Sequence, residues 1–496
     1  LGLHQTEKFL HSKANNNMGI AYVKKNRFFD AISCYRKAIS KDANYTDAHS
    51  NLAIALYAQG DLEGAMASYR RALTIDPFYS KGWKNIFFPL RVIQSDFSTV
   101  RDCLDHYFAD FDPVHVGSEL SLLEYKLCLG SADAKDCMDH ALAVLEGSGN
   151  SVIKRPDDQG RLSSERPVLF GKVAALLHFG RSGTGLLHSL IDNHLEVSTL
   201  PSIYFSEYFD SATWGRLTVG GWDEIVDRFI SMYPVLFDAS APDPVGVISE
   251  FKISNLGREM GMTTLGAGRD EVLGLDRDRF RAELDELVDG YDELDASLFF
   301  QLVHCAYERV LGHGDVKRLL FYHIHNPDVD AKLNFIRLMP EACWLVMVRE
   351  PIQSCESWVR TCFSGKEYPD IVSRMITMLF AVDDVIFRDR DCMGVRLEDL
   401  KNHPQETMLA LCDWLGIQEE DSLYEMTAQG KRWWGDPSSP DFGKEEMTPF
   451  GKSSTNRAVG SIFSDRDQFI LGTLFYPFSV YFGYVDEDLA GFKSAL

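Results

Sequence analysis

No apolar run in this chain is long enough to span a bilayer, and no basic-then-apolar leader opens it, so neither a membrane anchor nor a secretory signal is read from it. The ten cysteines stand singly, with no Cys-x-x-Cys pair and no Cys/His cluster. That excludes a zinc ribbon or a thioredoxin-like motif and points to reduced thiols and a cytoplasmic protein. The chain starts at Leu1, which leaves an upstream leader open. Basic residues are in deficit, 50 Lys and Arg against 73 Asp and Glu for a net charge of −23, which argues against a nucleic-acid binder or an anionic-membrane binder. What is plentiful is apolar content, 45% over 496 residues, enough for more than one packed core.

The first third has a period. Asn17 and Asn51, Tyr22 and Leu56, Tyr35 and Tyr69, and Ala38 and Ala72 are each 34 residues apart. Gly60-Asp61 and Asp76-Pro77 punctuate the second unit. Paired helices with small residues at their crossing points repeat at this length in the tetratricopeptide motif. Two good repeats and one or two degenerate ones are expected over residues 1–145. Turn-rich, charged sequence follows, Glu146 to Ser151 and Arg155 to Arg161, and reads as a linker over 146–164. A second domain is then expected over 165–496, α/β in class, with a parallel sheet flanked by helices and a mainly helical insertion at about 209–320.

The most informative segment opens that domain. An apolar run, Val173 to Phe179, breaks at Gly180 and restarts at helical spacing after Gly185. This is a strand, a tight loop and a helix. Gly180, Gly183 and Gly185 let the backbone approach a ligand, Ser182 and Thr184 supply hydroxyls, and Arg181 adds charge to a positive helix N-terminus. A phosphate or sulfate ester suits such a loop. No lysine follows the glycines, so the loop is not a Walker A motif and a P-loop kinase is disfavoured. A second strand, Cys343 to Val348, ends in Arg349-Glu350-Pro351. Pro351 suits the first position of a new helix, which carries Ser357. An arginine and a hydroxyl so placed at the carboxyl edge of an open α/β sheet can share one phosphate.

Gly180-Arg-Ser-Gly-Thr184 resembles the 5′-phosphosulfate loop of sulfotransferases that use 3′-phosphoadenosine-5′-phosphosulfate, with Gly180 in place of the usual proline. Arg349-Glu-Pro with Ser357 resembles their 3′-phosphate motif. His323-Ile-His325-Asn-Pro327 is similar to the Lys-Thr-His-Leu-Pro of cytosolic members, which puts His325 on the catalytic position and His323 on the preceding lysine. Lys452 to Phe463 resembles the loop whose basic and glycine residues close over the 3′-phosphate, which implicates Lys452 and Arg457. The resemblance covers roughly residues 167–484. It implies sulfuryl transfer to a hydroxyl or amine, with 3′-phosphoadenosine-5′-phosphosulfate as co-substrate and no metal. His325 would be the general base, and Arg181, Ser182, Gly183 and Thr184 would hold the phosphosulfate. A competing base follows from tyrosylprotein members: His194-Leu-Glu-Val197 resembles a turn that precedes their glutamate, and Glu207 is the nearest carboxylate after it.

Several readings stay open. A repeat arm that recruits a protein partner to a catalytically inactive nucleotide-binding domain is the alternative to an enzyme. The acceptor, whether small molecule, glycan or peptide tyrosine, and the oligomeric state are not fixed by the residues.

Overall fold

The computed structural model describes residues 2–147, 152–156, 166–201, 205–241, 256–314, 316–325, 329–362, 375, 390–435, 437, 449–451 and 459–491. The chain divides into two units, Leu1–Gly149 and Asn150–Leu496.

The first unit is built from α-helices among its described residues, running from Gly2–Val23 and Phe28–Lys41 to Pro113–Cys128 and Ala134–Gly147. The 34-residue register is a packing register. Tyr35 and Tyr69 are both buried, as are Ala38 and Ala72. Small residues are needed where the helices cross: a Cβ on Gly19 would lie 2.4 Å from the Tyr35 ring, and Ala53, one period later, is fully buried. Across the first repeat boundary Asn51 donates to the side-chain oxygen of Asn16 at 2.9 Å. Asp61 caps the helix Leu62–Ile75 by accepting from the Gly64 N–H, and Gly60 takes the left-handed backbone (φ +80°) that turns the chain into that cap.

The second unit holds nine strands among its described residues. In chain order they are β1 (Ile153–Lys154), β2 (Lys172–His178), β3 (Val197–Thr199), β4 (Glu293–Leu294), β5 (Leu319–His323), β6 (Cys343–Val348), β7 (Cys392–Arg396), β8 (Thr427–Ala428) and β9 (Lys431–Arg432). Five form one sheet in the order β3-β5-β2-β6-β7, every neighbouring pair parallel. A parallel sheet is covered on both faces, so its strands read as continuous apolar runs, and every residue of β6 is buried. One face packs on the helix Thr184–Ile191 through Leu187, Leu190 and Ile191. The other carries an aromatic cluster in which Phe209, Phe300, Tyr322 and Phe335 meet edge to face or tilted.

Two segments depart from the sequence expectation. Ile153 and Lys154, read as linker, form β1 and pair antiparallel with Leu294 and Glu293. Arg155 secures this pairing: it bonds to Asp289 at 3.1 Å, donates to the Tyr291 carbonyl, and lies 5.0 Å over the Trp222 ring. A two-residue strand has no alternation to detect. The stretch read as a mainly helical insertion contains the helices Arg277–Val288 and Ala296–Leu311, but also β4 and the start of β5.

Candidate functional site

Because the sheet is parallel, β2, β5 and β6 deliver their following loops to one edge, with β2 between the other two. The loop after β2 is shaped by glycine. Gly180 (φ +58°) and Gly183 (φ +90°) take left-handed conformations. A Cβ at Gly183 would also stand 2.7 Å from the Leu397 side chain, just beyond β7. Gly183 caps the helix Thr184–Ile191, so the first helical amides face the loop. Ser182 is 1% exposed and its Oγ has no hydrogen-bond partner among the described residues. A buried hydroxyl without a partner is costly unless a ligand meets it. Gly185 lies one residue inside the helix, where its Cα faces Trp433. It borders a small cavity of about 20 Å³ also lined by His188, Asp192, Met260, Met262 and Trp433.

The β6 end is tied to this loop. The Phe179 N–H donates to the Met347 carbonyl at 3.0 Å, extending the β2–β6 ladder, and Ser354 Oγ donates to the Phe179 carbonyl at 3.4 Å. Arg349 and Ser357 are both buried, and Arg349 Nη2 donates to Gln353 Oε1 at 3.5 Å. The carboxylate of Glu350 is spent on the helix Pro351–Cys362, accepting from the Ile352 and Gln353 N–H groups. Burial raises the Glu350 pKa, opposed by those two donors, while Glu398 adds to the rise.

Glu356, one residue before Ser357, is a buried carboxylate that no pattern in the sequence marks. It is 3% exposed and accepts from the N–H groups of Gly460 (2.8 Å), Ile462 (3.2 Å) and Phe463 (3.2 Å). Arg360 bonds to Ser461 from the same helix. Burial works to raise the Glu356 pKa, but the three backbone donors and Arg360 leave it below its usual value. This carboxylate fixes the far end of the C-terminal loop to the helix that carries Ser357. Lys452 and Arg457, in the same loop, lie outside the described residues. Glu356→Ala is expected to cost about 2 kcal/mol or more, since a charged acceptor shared by several donors is lost. Glu356→Gln, which keeps a carbonyl acceptor, should cost less. Urea unfolding of the three proteins measures this, and coincident midpoints would show that the loop is held by something else.

On the other side of β2 stand the histidines. His325 follows β5, and its N–H donates to Ser206 Oγ at 3.2 Å, which sets it beside the segment carrying Glu207. Its ring stacks on His178, the last residue of β2, at 4.7 Å and 24°. The Nδ1 of His178 lies 2.8 Å from the Gly180 carbonyl, a contact that requires the proton on Nδ1. His178 thus joins the loop to His325, and no local pattern marks it. His323 is 2% exposed with neither ring nitrogen partnered among the described residues. Its ring meets His325 edge-on at 5.6 Å and His188 at 5.8 Å. Burial first, then His325, His188 and His178, hold its pKa well below 6.5. His323 is therefore a neutral group near pH 7.

Residues 16–80 match the family model described as Tetratricopeptide repeat. No curated protein matches the chain. Among solved structures, the chain is similar to the sulfotransferase domain from the Synechococcus PCC 7002 olefin synthase, at 15% identity and a TM-score of 0.38 over 65% of this chain and 98% of that one. It is also similar to the sulfotransferase domain from the curacin biosynthetic pathway, at 16% identity and a TM-score of 0.31 over 55% and 82%. A third is sulfotransferase STF9 from Mycobacterium avium, at 13% identity and a TM-score of 0.29 over 82% and 92%.

Proposed function

We propose that the second unit transfers a sulfuryl group from 3′-phosphoadenosine-5′-phosphosulfate to a hydroxyl or amine acceptor. The observation that carries this is the buried Ser182 hydroxyl, without a partner among the described residues, in a glycine-shaped loop between the strand that leads to Arg349 and the one that leads to His325. In this reading the amides of Gly183 and Thr184, the Ser182 hydroxyl and Arg181 hold the 5′-phosphosulfate. Arg349 and Ser357 hold the 3′-phosphate, under a loop anchored by Glu356. His325 takes the acceptor's proton as the acceptor oxygen or nitrogen attacks sulfur and the bond from sulfur to the bridging oxygen breaks. The bisphosphate leaves with that oxygen, whose charge the loop donors and Arg181 stabilise. His178 orients the His325 ring from the loop side. His323, being neutral, offers no charge to the leaving group. The repeats suit a protein-binding arm that brings a partner or a protein acceptor to the enzyme.

The donor can be tested without knowing the acceptor. 3′-Phosphoadenosine-5′-phosphate at a hundredfold excess over its Kd is expected to raise the melting temperature by on the order of 5 °C. ATP with Mg²⁺ should raise it much less. A shift given by ATP with Mg²⁺ and not by the bisphosphate would sink the proposal. Calorimetry then assigns the 3′-phosphate contacts. Arg349→Ala should lose roughly 1.5–3 kcal/mol of binding against about 1 kcal/mol for Ser357→Ala, because the first removes a charged fork and the second a neutral hydroxyl. Equal affinity for wild type and Arg349→Ala would mean that this arginine serves packing alone.

A further inference from the structure

The ten cysteines are scattered in sequence, yet the fold brings two of them together. Cys128 is the last residue of the helix Pro113–Cys128, and Cys137 lies in the opening turn of the next, Ala134–Gly147. Their sulfur atoms are 2.7 Å apart. Both thiols are free in the structure, yet their sulfurs stand closer than those of two thiols in ordinary contact, which keep well beyond about 3 Å. Gly130, in the left-handed region at φ +81°, reverses the chain between the helices so that the two side chains face one another.

We infer that Cys128 and Cys137 form an intramolecular disulfide that staples the last helix pair of the repeat unit. The surroundings suit a protected bond. Both residues are buried, as are Leu127, Ala134, Met138 and Ala141 of the same helices. The Leu127 carbonyl is held from the neighbouring helix Ser80–Ile93 by Arg91 at 2.6 Å, which fixes the backbone beside Cys128. Burial raises both thiols, with Glu124 and Asp133 adding to the rise, while Arg101 opposes it at Cys137. Thiolate is therefore scarce near neutral pH, so exchange with external thiols is slow in either direction once the unit is folded. The bond forms by a two-electron oxidation at the expense of a small disulfide. One Cys thiolate attacks it and releases the first thiol, and the second Cys displaces the other, so both protons leave on the two thiols released.

The full chain is incubated with hydroxyethyl disulfide at pH 8.5 in two arms, one native and one unfolded in guanidinium and refolded with the oxidant, so that burial cannot mask the reaction. Remaining thiols are alkylated in denaturant and the protein is digested with trypsin without reduction. Cleavage after Lys126, Lys135 and Lys154 isolates Cys128 in peptide 127–135 and Cys137 in peptide 136–154. The expected result is these two peptides joined, about 2 Da lighter than their sum, in high yield. Peptides bearing the alkyl label on both residues in both arms, or Cys128 joined to another cysteine, would overturn the pairing. In wild type, reduction should lower the melting temperature of the oxidised protein by on the order of 5 °C. The Cys128→Ser/Cys137→Ser variant should show no such dependence, and an equal fall in that variant would place the redox effect elsewhere.

Discussion

His325→Ala is expected to lower turnover by on the order of 10²–10⁴ while donor affinity stays nearly intact, because general-base contributions fall in that range and the residue sits across β2 from the Arg349 strand. Glu207→Gln should change turnover little. The stacking partner gives a graded check: His178→Ala should cost roughly tenfold by loosening the His325 ring, and His178→Phe, which keeps a ring to stack on, should recover most of it. If Glu207→Gln abolishes transfer and His325→Ala leaves it standing, the proton goes to the carboxylate.

A second large effect concerns stability. His188, His304 and His323 are all buried in the second unit, and burial is the first cause of the lowered pKa of each. For His304, which bonds to Ser198 Oγ through Nδ1, the fall is to about 3. The folded state keeps these rings neutral, while the unfolded chain protonates them below about pH 6.5. Stability is thus present in full above that pH and is lost as pH falls from it toward the folded values, by about 1.4 kcal/mol per unit for each of His304 and His323. At pH 5.5 the two strongly shifted rings, His304 and His323, together remove on the order of 3 kcal/mol, and His188 adds in the same direction. Glu350 and Asp285, whose pKa values burial raises, work in the opposite sense at the acid end of this window and soften the loss. Urea midpoints at pH 7.5, 6.5 and 5.5 measure the slope, and His304→Gln should flatten it by up to about half. A flat profile in wild type would mean that these rings open to water before the unit unfolds.

Much of the framework was legible in local pattern. The run before Gly180 and the run before Arg349 are apolar without alternation, which is how strands buried on both faces must read, and they became β2 and β6. The 34-residue register was visible because Tyr35 and Tyr69, and Ala38 and Ala72, fill the same place in successive helix pairs. What stayed hidden depends on partners distant in sequence. Arg155 looked like linker charge, and only its contacts with Asp289 and Trp222 make it an anchor. Glu356 is one acid among many until the turn at Gly460 folds onto it. His178 ends an apolar strand without any motif, and its pairing with His325 exists only because β2 and β5 are neighbours. His323 stood out in the sequence beside His325, but its neutrality comes from burial among other imidazoles.

The arrangement of the central sheet also bears on how the chain reaches its native state. β2 cannot be completed until segments synthesised much later arrive, since Lys172 pairs with Leu319 and Ala174 with Cys343, partners more than a hundred residues away. Helices of the first unit mostly meet the next helix or two in sequence. Loop closure must be paid before distant pairings reward it, so such sheets assemble slowly while neighbouring helices assemble fast. On the ribosome the repeats can therefore consolidate while the apolar strand before Gly180 still waits for both its neighbours. During that interval β2 is the segment most exposed to mispairing and to capture by chaperones.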